Sequence, residues 1–201
     1  MNMSEYLTVK DYTYLEYCDY LQEKYGIGFD DYMTKSYNPK PKCKRTNDGL
    51  LAHHKKEDTM ALLSKKEIAM ICPFEWQLKE NIIYCDYLEH LLLHILICKY
   101  PSSEKIDLVK VGLGGVVNCI VPELNDLYSG WETNQAWRKN CHDKVKNDKA
   151  VYMEMLKQFI ENEKDDVNFD ISILCKSFNE VYGAWSNAQN RKLYEEIKTL
   201  A

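Results

Sequence analysis

The chain lacks any apolar run able to span a bilayer: the most apolar stretch, residues 91–98, is interrupted by His94 and far too short. The first six residues have neither the basic region nor the apolar stretch of a secretory signal, so a cytoplasmic protein is expected. Among eight cysteines (18, 43, 72, 85, 98, 119, 141 and 175) there is no CxxC pair, which argues against a four-cysteine zinc site. Without an export signal, reduced thiols are the expected state. Cys43, Cys72 and Cys85 flank a histidine-rich window and offer a minor alternative, a structural metal site. A nucleotide-binding signature is missing too. Residues 111–116, Val-Gly-Leu-Gly-Gly-Val, have neither a Gly-Lys-Ser/Thr ending nor GxGxxG spacing, and read as a turn. No internal repeat or low-complexity segment is visible. With 201 residues, 45% of them hydrophobic, disorder is excluded and there is material for one substantial core, or one core with a satellite.

An excess of positive charge is also absent, the net charge being −5. Its distribution matters more than its sum. Residues 35–66 hold nine basic residues against Asp48, Glu57 and Asp58, a balance of +6, which leaves −11 on the rest of the chain. A basic cluster alone is usually a solvated loop. This one straddles a histidine pair, so Lys42, Lys44, Arg45, Lys55 and Lys56 are expected to face DNA phosphates, which respond to local potential rather than to an average.

Periodicity and breakers outline the elements. Tyr14, Cys18, Leu21 and Tyr25 recur at helical spacing, predicting an amphipathic helix over residues 8–25 that Gly26 stops. Asn38-Pro39-Lys40-Pro41 breaks regular structure. Residues 49–54 read as a short strand, 64–71 as a short helix capped by Ser64, and 81–85 as a second strand. Asp86 and Glu89 have the spacing of a capping box for a helix over 87–99, ending before Pro101. Pro122 opens a further helix carrying Leu124, Leu127, Tyr128 and Trp131 inward, and helices follow at 149–163 and 187–200. The charged stretch 146–166 reads as a solvated helix face, His142 as a surface residue, and Trp76, Trp131, Trp137 and Trp185 as core or interface anchors. The fold class is α+β, mostly helical.

Four of the five histidines fall within 42 residues: His53 and His54 adjacent, then His90 and His94 one helical turn apart, with Asn81 between the pairs. Singly, each piece has a bland explanation. Two histidines at i and i+4 on a leucine-rich helix are commonly core residues, and an adjacent pair can be a strand edge. Together and in order they suit a cation. Three neutral imidazoles bind zinc, nickel, manganese or a related divalent ion and leave positions open. A further histidine, whose ordinary pKa lies near neutrality, serves as a general base. Adjacent residues of a strand point to opposite faces, so His53 and His54 are expected to do different jobs.

Gly49-Leu-Leu-Ala-His53-His54, Glu80-Asn81-Ile-Ile-Tyr-Cys and Glu89-His90-Leu-Leu-Leu-His94, with nine residues from Asn81 to His90, resemble the HNH (ββα-metal, His-Me finger) nuclease superfamily over residues 45–96. The resemblance implies a small ββα-metal finger embedded among amphipathic helices. It implies one divalent ion (Zn, Mg, Mn or Ni) held by His53, His90 and His94, His54 activating water, and Asn81 orienting that histidine or pinning the loop between the strands. The stretch from His54 to Asn81 is longer than in the smallest members, and Lys55-Lys56 stand where an apolar residue is common. The implied organisation is a helical segment and basic linker (1–44), a nuclease core (45–100) and a helical region (101–201). A DNA endonuclease is the leading expectation, with no membrane association and with the acidic C-terminal region serving homodimerisation or target reading. Two alternatives stay open: a phage- or plasmid-type anti-defence protein that keeps the fold and binds a protein partner through its acidic region, and a structural zinc with a cysteine as fourth ligand.

Overall fold

Local signals in the first 25 residues make two helices where periodicity predicts one. A computed structural model, which describes residues 1–105, 110–167, 169–182 and 187–200, places α1 at Met3–Val9 and α2 at Tyr14–Tyr25. The break is chemical. The Thr13 hydroxyl accepts from the Glu16 backbone N–H, and the Glu16 carboxylate accepts from the Thr13 N–H at 2.8 Å. Such a capping box starts a helix rather than continuing one. Gly26, at φ +83°, ends α2.

Two short strands, β1 (Leu51–His54) and β2 (Ile82–Cys85), pair antiparallel, with His53 opposite Ile83 and His54 opposite Ile82. Between them lie turns, short 3-10 segments and a single helical turn, α3 (Lys66–Ala69). The expected Ser64 cap is corrected here: Lys65 occupies the N-cap position and makes no side-chain bond. After β2 the capping box read from the sequence is present. Asp86 accepts from the Glu89 N–H at 2.8 Å and Glu89 accepts from the Asp86 N–H at 2.7 Å. It starts α4 (Tyr87–Lys99), ten of whose thirteen residues are buried. A helix apolar almost all round forms an axis for its neighbours rather than a surface layer.

The glycine-rich segment is a turn only at Val111–Gly112, where Gly112 has φ +85°. Helix begins at once: α5 (Leu113–Gly115) runs through a π-helical stretch, Val116–Ile120, into α6 (Val121–Tyr128). Pro122 therefore lies inside a helical run and does not open it. It has no N–H to donate, and the altered π ladder just before it is where a regular ladder is already interrupted. An unforeseen helix, α7 (Ala136–Val145), follows. Then come α8 (Lys149–Glu163) and α9 (Asn187–Lys198), close to their expected spans.

One apolar core draws on α1, α2, β2, α4, residues 111–124, α7, α8 and α9, with Leu91, Leu92, Ile95 and Leu96 fully buried in it. Ile83 belongs to this core, while its neighbour Ile82 joins a smaller cluster with Tyr32, Met33, Cys43 and Ala69, as strand alternation requires. The protein is thus mostly helical with one small antiparallel sheet. The charged stretch 146–166 is solvated on one side only, since Val151, Tyr152, Met155, Leu156, Phe159 and Ile160 of α8 are buried. His142 is not a surface residue: its ring is buried with Nε2 2.8 Å from Glu123 Oε1, beside an Arg138 paired with Glu123 and Asp126. Charges this deep persist only when paired. Trp131 and Trp137 are half-buried against the guanidinium groups of Arg138 and Arg45, at 4.6 and 3.6 Å, and Trp185 lies outside the described residues. All eight cysteines are free. Among the described residues no helix is long and apolar enough to cross a membrane.

Candidate metal centre

β1 delivers His53, and α4 delivers His90 and His94 from successive turns of one face. Their rings converge. His90 Nε2 lies 3.2 Å from His53 Nδ1 and 3.3 Å from His94 Nε2. A tetrahedral ion with bonds of about 2.0–2.1 Å sets its nitrogens roughly 3.3–3.4 Å apart, so the spacing fits a single small cation. Among the described residues this trio is the one group of His, Cys, Asp or Glu side chains that could hold a metal ion. Cys43, Cys72 and Cys85 form no such group.

Protonation suits the same role. Burial pushes the His53 pKa down to about 3, against the opposing pull of Glu57 and with His94 and His54 adding to the fall. Burial, reinforced by His94 and His53, carries His90 well below the ordinary imidazole value, and burial lowers His94 against Glu57. Neutral rings with inward lone pairs are the form a metal requires. Tyr14 fixes the tautomer of His53. Its hydroxyl oxygen is 2.9 Å from His53 Nε2 and 3.1 Å from the Lys55 carbonyl. The O–H donates to that carbonyl and the oxygen accepts from Nε2–H, leaving Nδ1 unprotonated and turned inward.

His90 Nδ1 and His94 Nδ1 have no partner, so packing rather than hydrogen bonding holds those rings. Gly115 is part of that packing: a Cβ there would come within 2.3 Å of His94 Nδ1 and Cε1. The absent side chain lets α5 close over the imidazole.

The comparisons return no relative. No family model, no curated protein and no solved structure matches this chain. Its chemistry is therefore read from its own geometry. A cleft of about 400 Å³ is lined by His54, Glu57, His90, His94, Gly115 and Asn118, while His53 is fully buried and does not line it.

His54, the next residue along β1, turns away from the trio. Its Nε2 is 3.1 Å from Gln77 Oε1, and the Gln77 amide nitrogen donates to the Leu63 carbonyl at 3.2 Å. That second bond fixes which end of the amide faces the ring. His54 must then carry its proton on Nε2, leaving Nδ1 basic and directed toward Glu57, 3.7 Å away. Asn81 does not reach His54. It is half-buried, its amide donates to the Glu75 carbonyl at 2.8 Å, and its own carbonyl accepts from Lys55 N–H at 2.8 Å. These bonds tie the end of the inserted segment to its own interior at Glu75 and to its first residue, Lys55.

Glu57, Gln77 and Tyr14 escaped the sequence reading. A turn directly after β1, closed by Glu57 N–H to the His54 carbonyl at 3.0 Å, folds Glu57 back over the trio. Its carboxylate stands 3.7 Å from His53 Nδ1 and 3.8 Å from His94 Nε2. Burial would raise its pKa, but His53, His54 and His94 around it hold it below the usual carboxylate range. One signal was available: an acidic residue four positions after His53, inside a basic run.

None of Lys42, Lys44, Arg45, Lys55 and Lys56 lines the cleft. Lys55 pairs with Asp19 on α2, and Arg45 stacks on Trp137. Lys42 is exposed, and Lys44 and Lys56 are half-buried.

Proposed function

We propose that this protein is a metal-dependent endonuclease of the HNH (ββα-metal) type that hydrolyses DNA phosphodiester bonds, with His53, His90 and His94 holding one divalent ion and His54 acting as general base. The observation that carries the proposal is the convergence of three neutral imidazoles at a cleft that is also lined by a fourth histidine, buried and of fixed tautomer. Their order supports it as well, with β1, β2 and α4 supplying ligand and base, connection, and two further ligands.

A bound ion would supply charge stabilisation for phosphate oxygens and a lowered pKa for water. The chain's own residues do the rest. His54 Nδ1 accepts the proton of the attacking water, and the imidazolium so formed still donates Nε2–H to Gln77. Gln77, anchored on Leu63, keeps the ring from turning its protonated nitrogen into the cleft. Asn81 acts at one remove by pinning the insertion between the strands, through Glu75 and Lys55. Lys42, Lys44 and Lys56 add positive potential around the hairpin for DNA beyond the scissile bond, and the acidic C-terminal region serves dimerisation or target reading.

The test is metal-stripped protein on supercoiled plasmid, with Mg²⁺, Mn²⁺, Ni²⁺ or Zn²⁺ added singly. Nicking or linearisation should require metal. It should fall by about 10²–10⁴-fold in His54→Ala, the usual contribution of a general base, with metal content unchanged. Folded protein that cuts with none of these ions would end the proposal and favour a protein-binding or structural-metal role.

A further inference from the structure

Three nitrogens account for the trio, yet a carboxylate that the proposed reaction does not use sits over them. Glu57 Oε2 is 3.7 Å from His53 Nδ1 and 3.8 Å from His94 Nε2, while Oε1 faces His54 Nδ1 at 3.7 Å. These separations are too long for hydrogen bonds. They are also too short for an independent surface acid, since the Glu57 side chain is only 16% exposed. With the nitrogen–nitrogen edges of 3.2 and 3.3 Å, they set one carboxylate oxygen beside two of the three converging nitrogens, those of His53 and His94. Ligation would bring the same oxygen toward His90 as well, a movement open to a side chain that rides on the turn after β1.

We infer that Glu57 is the fourth protein ligand of the metal, completing a three-nitrogen, one-oxygen site in which its second oxygen reaches His54. The inference rests on reading His53, His90 and His94 as ligands. A hard carboxylate oxygen beside three imidazoles accepts zinc, manganese or nickel. Zinc held by four protein donors is closed, as in structural sites. An ion that takes five or six ligands would keep positions for water and phosphate. The carboxylate also links the centre to the base: the same side chain touches the ion through Oε2 and faces His54 through Oε1.

Chelator-competition titrations of metal-stripped full-length protein with Zn²⁺ and Co²⁺ test this, comparing wild type, Glu57→Gln, Glu57→Asp and His90→Ala. Wild type should bind one equivalent. Glu57→Gln should bind at least about tenfold more weakly, a loss an outer-shell change also reaches, and the mark of ligation is an altered Co²⁺ visible spectrum with unchanged far-ultraviolet circular dichroism. Glu57→Asp keeps the charge but shortens the reach, so it too should bind more weakly. Wild-type affinity and spectrum in both Glu57 variants, with binding lost in His90→Ala, would remove Glu57 from the site and leave the trio standing. Weaker binding with an unchanged Co²⁺ spectrum would make Glu57 a counter-charge and overturn ligation. Wild type that binds neither ion would overturn the trio and Glu57 together.

Discussion

Tyr14 and His53 are 39 residues apart in the chain, yet the tautomer of the metal-facing ring depends on their contact. The hydroxyl is buried and accepts from His53 while donating to a carbonyl. Tyr14→Phe keeps the ring's volume and removes only that relay. His53 is then free to place its proton on Nδ1, where a proton and a metal exclude each other. Outer-shell partners of ligating histidines are worth about 10–100-fold in metal affinity, so a loss of that size is expected in a chelator-competition titration. The unfolding free energy from urea curves should fall by only about 0.5–1.5 kcal/mol, the net value of one hydrogen bond. Unchanged affinity in Tyr14→Phe would mean that packing alone orients His53.

At the scale of elements, α4 depends most on local chemistry. Asp86 is buried, accepts from Glu89 N–H, and through its carbonyl receives the first helical bond, from His90 N–H at 2.8 Å. Asp86→Ala should cost more than the roughly 0.5–2 kcal/mol of a lost N-cap, because the second carboxylate oxygen also pairs with the buried Met1 ammonium, and Asp86→Asn should recover only the capping part because its amide oxygen can still accept. Urea denaturation of the two variants checks this, and equal losses would place the effect in charge rather than capping. The same local chemistry made α4 and its histidine spacing legible in the sequence, along with both strands to within two residues. Other elements were hidden for physical reasons. The Thr13–Glu16 box sits inside a continuous apolar period, which masked the break between α1 and α2. In α7 the buried residues are Arg138, Cys141, His142 and Val145, so ion pairing substitutes for hydrophobicity and periodicity has little to report. At the site, His90 and His94 were legible from their four-residue spacing, and His53, 37 residues before His90, only through the ordered resemblance to a known family; Gln77 and Tyr14 act across 23 and 39 residues, where neither signal exists.

For the whole molecule, the position of α4 decides whether the segment that carries the histidine trio can stand alone. Residues 45–100 contain the trio, His54, Glu57, Gln77 and Asn81, which makes them look self-sufficient. Yet Leu88, Leu91, Leu92, Leu93, Ile95 and Leu96 of α4 are fully buried, in a core that also draws on α1, α2 and the helices beyond residue 110. Tyr14, which holds His53, and Gly115, which packs on His94, both come from outside the segment. Cutting it out would expose six large aliphatic side chains, each worth about 1.5–3 kcal/mol when fully buried, against a stability typically of only 5–15 kcal/mol for an entire domain. A 45–100 fragment should therefore show no cooperative urea transition and bind Co²⁺ far more weakly than the full chain, whose unfolding should be a single transition by circular dichroism and fluorescence alike. A fragment that melts cooperatively would instead make the hairpin and α4 an autonomous finger. Because two of the three candidate ligands sit on a helix buried almost all round, metal binding is expected to be a property of the assembled core and not of the hairpin alone.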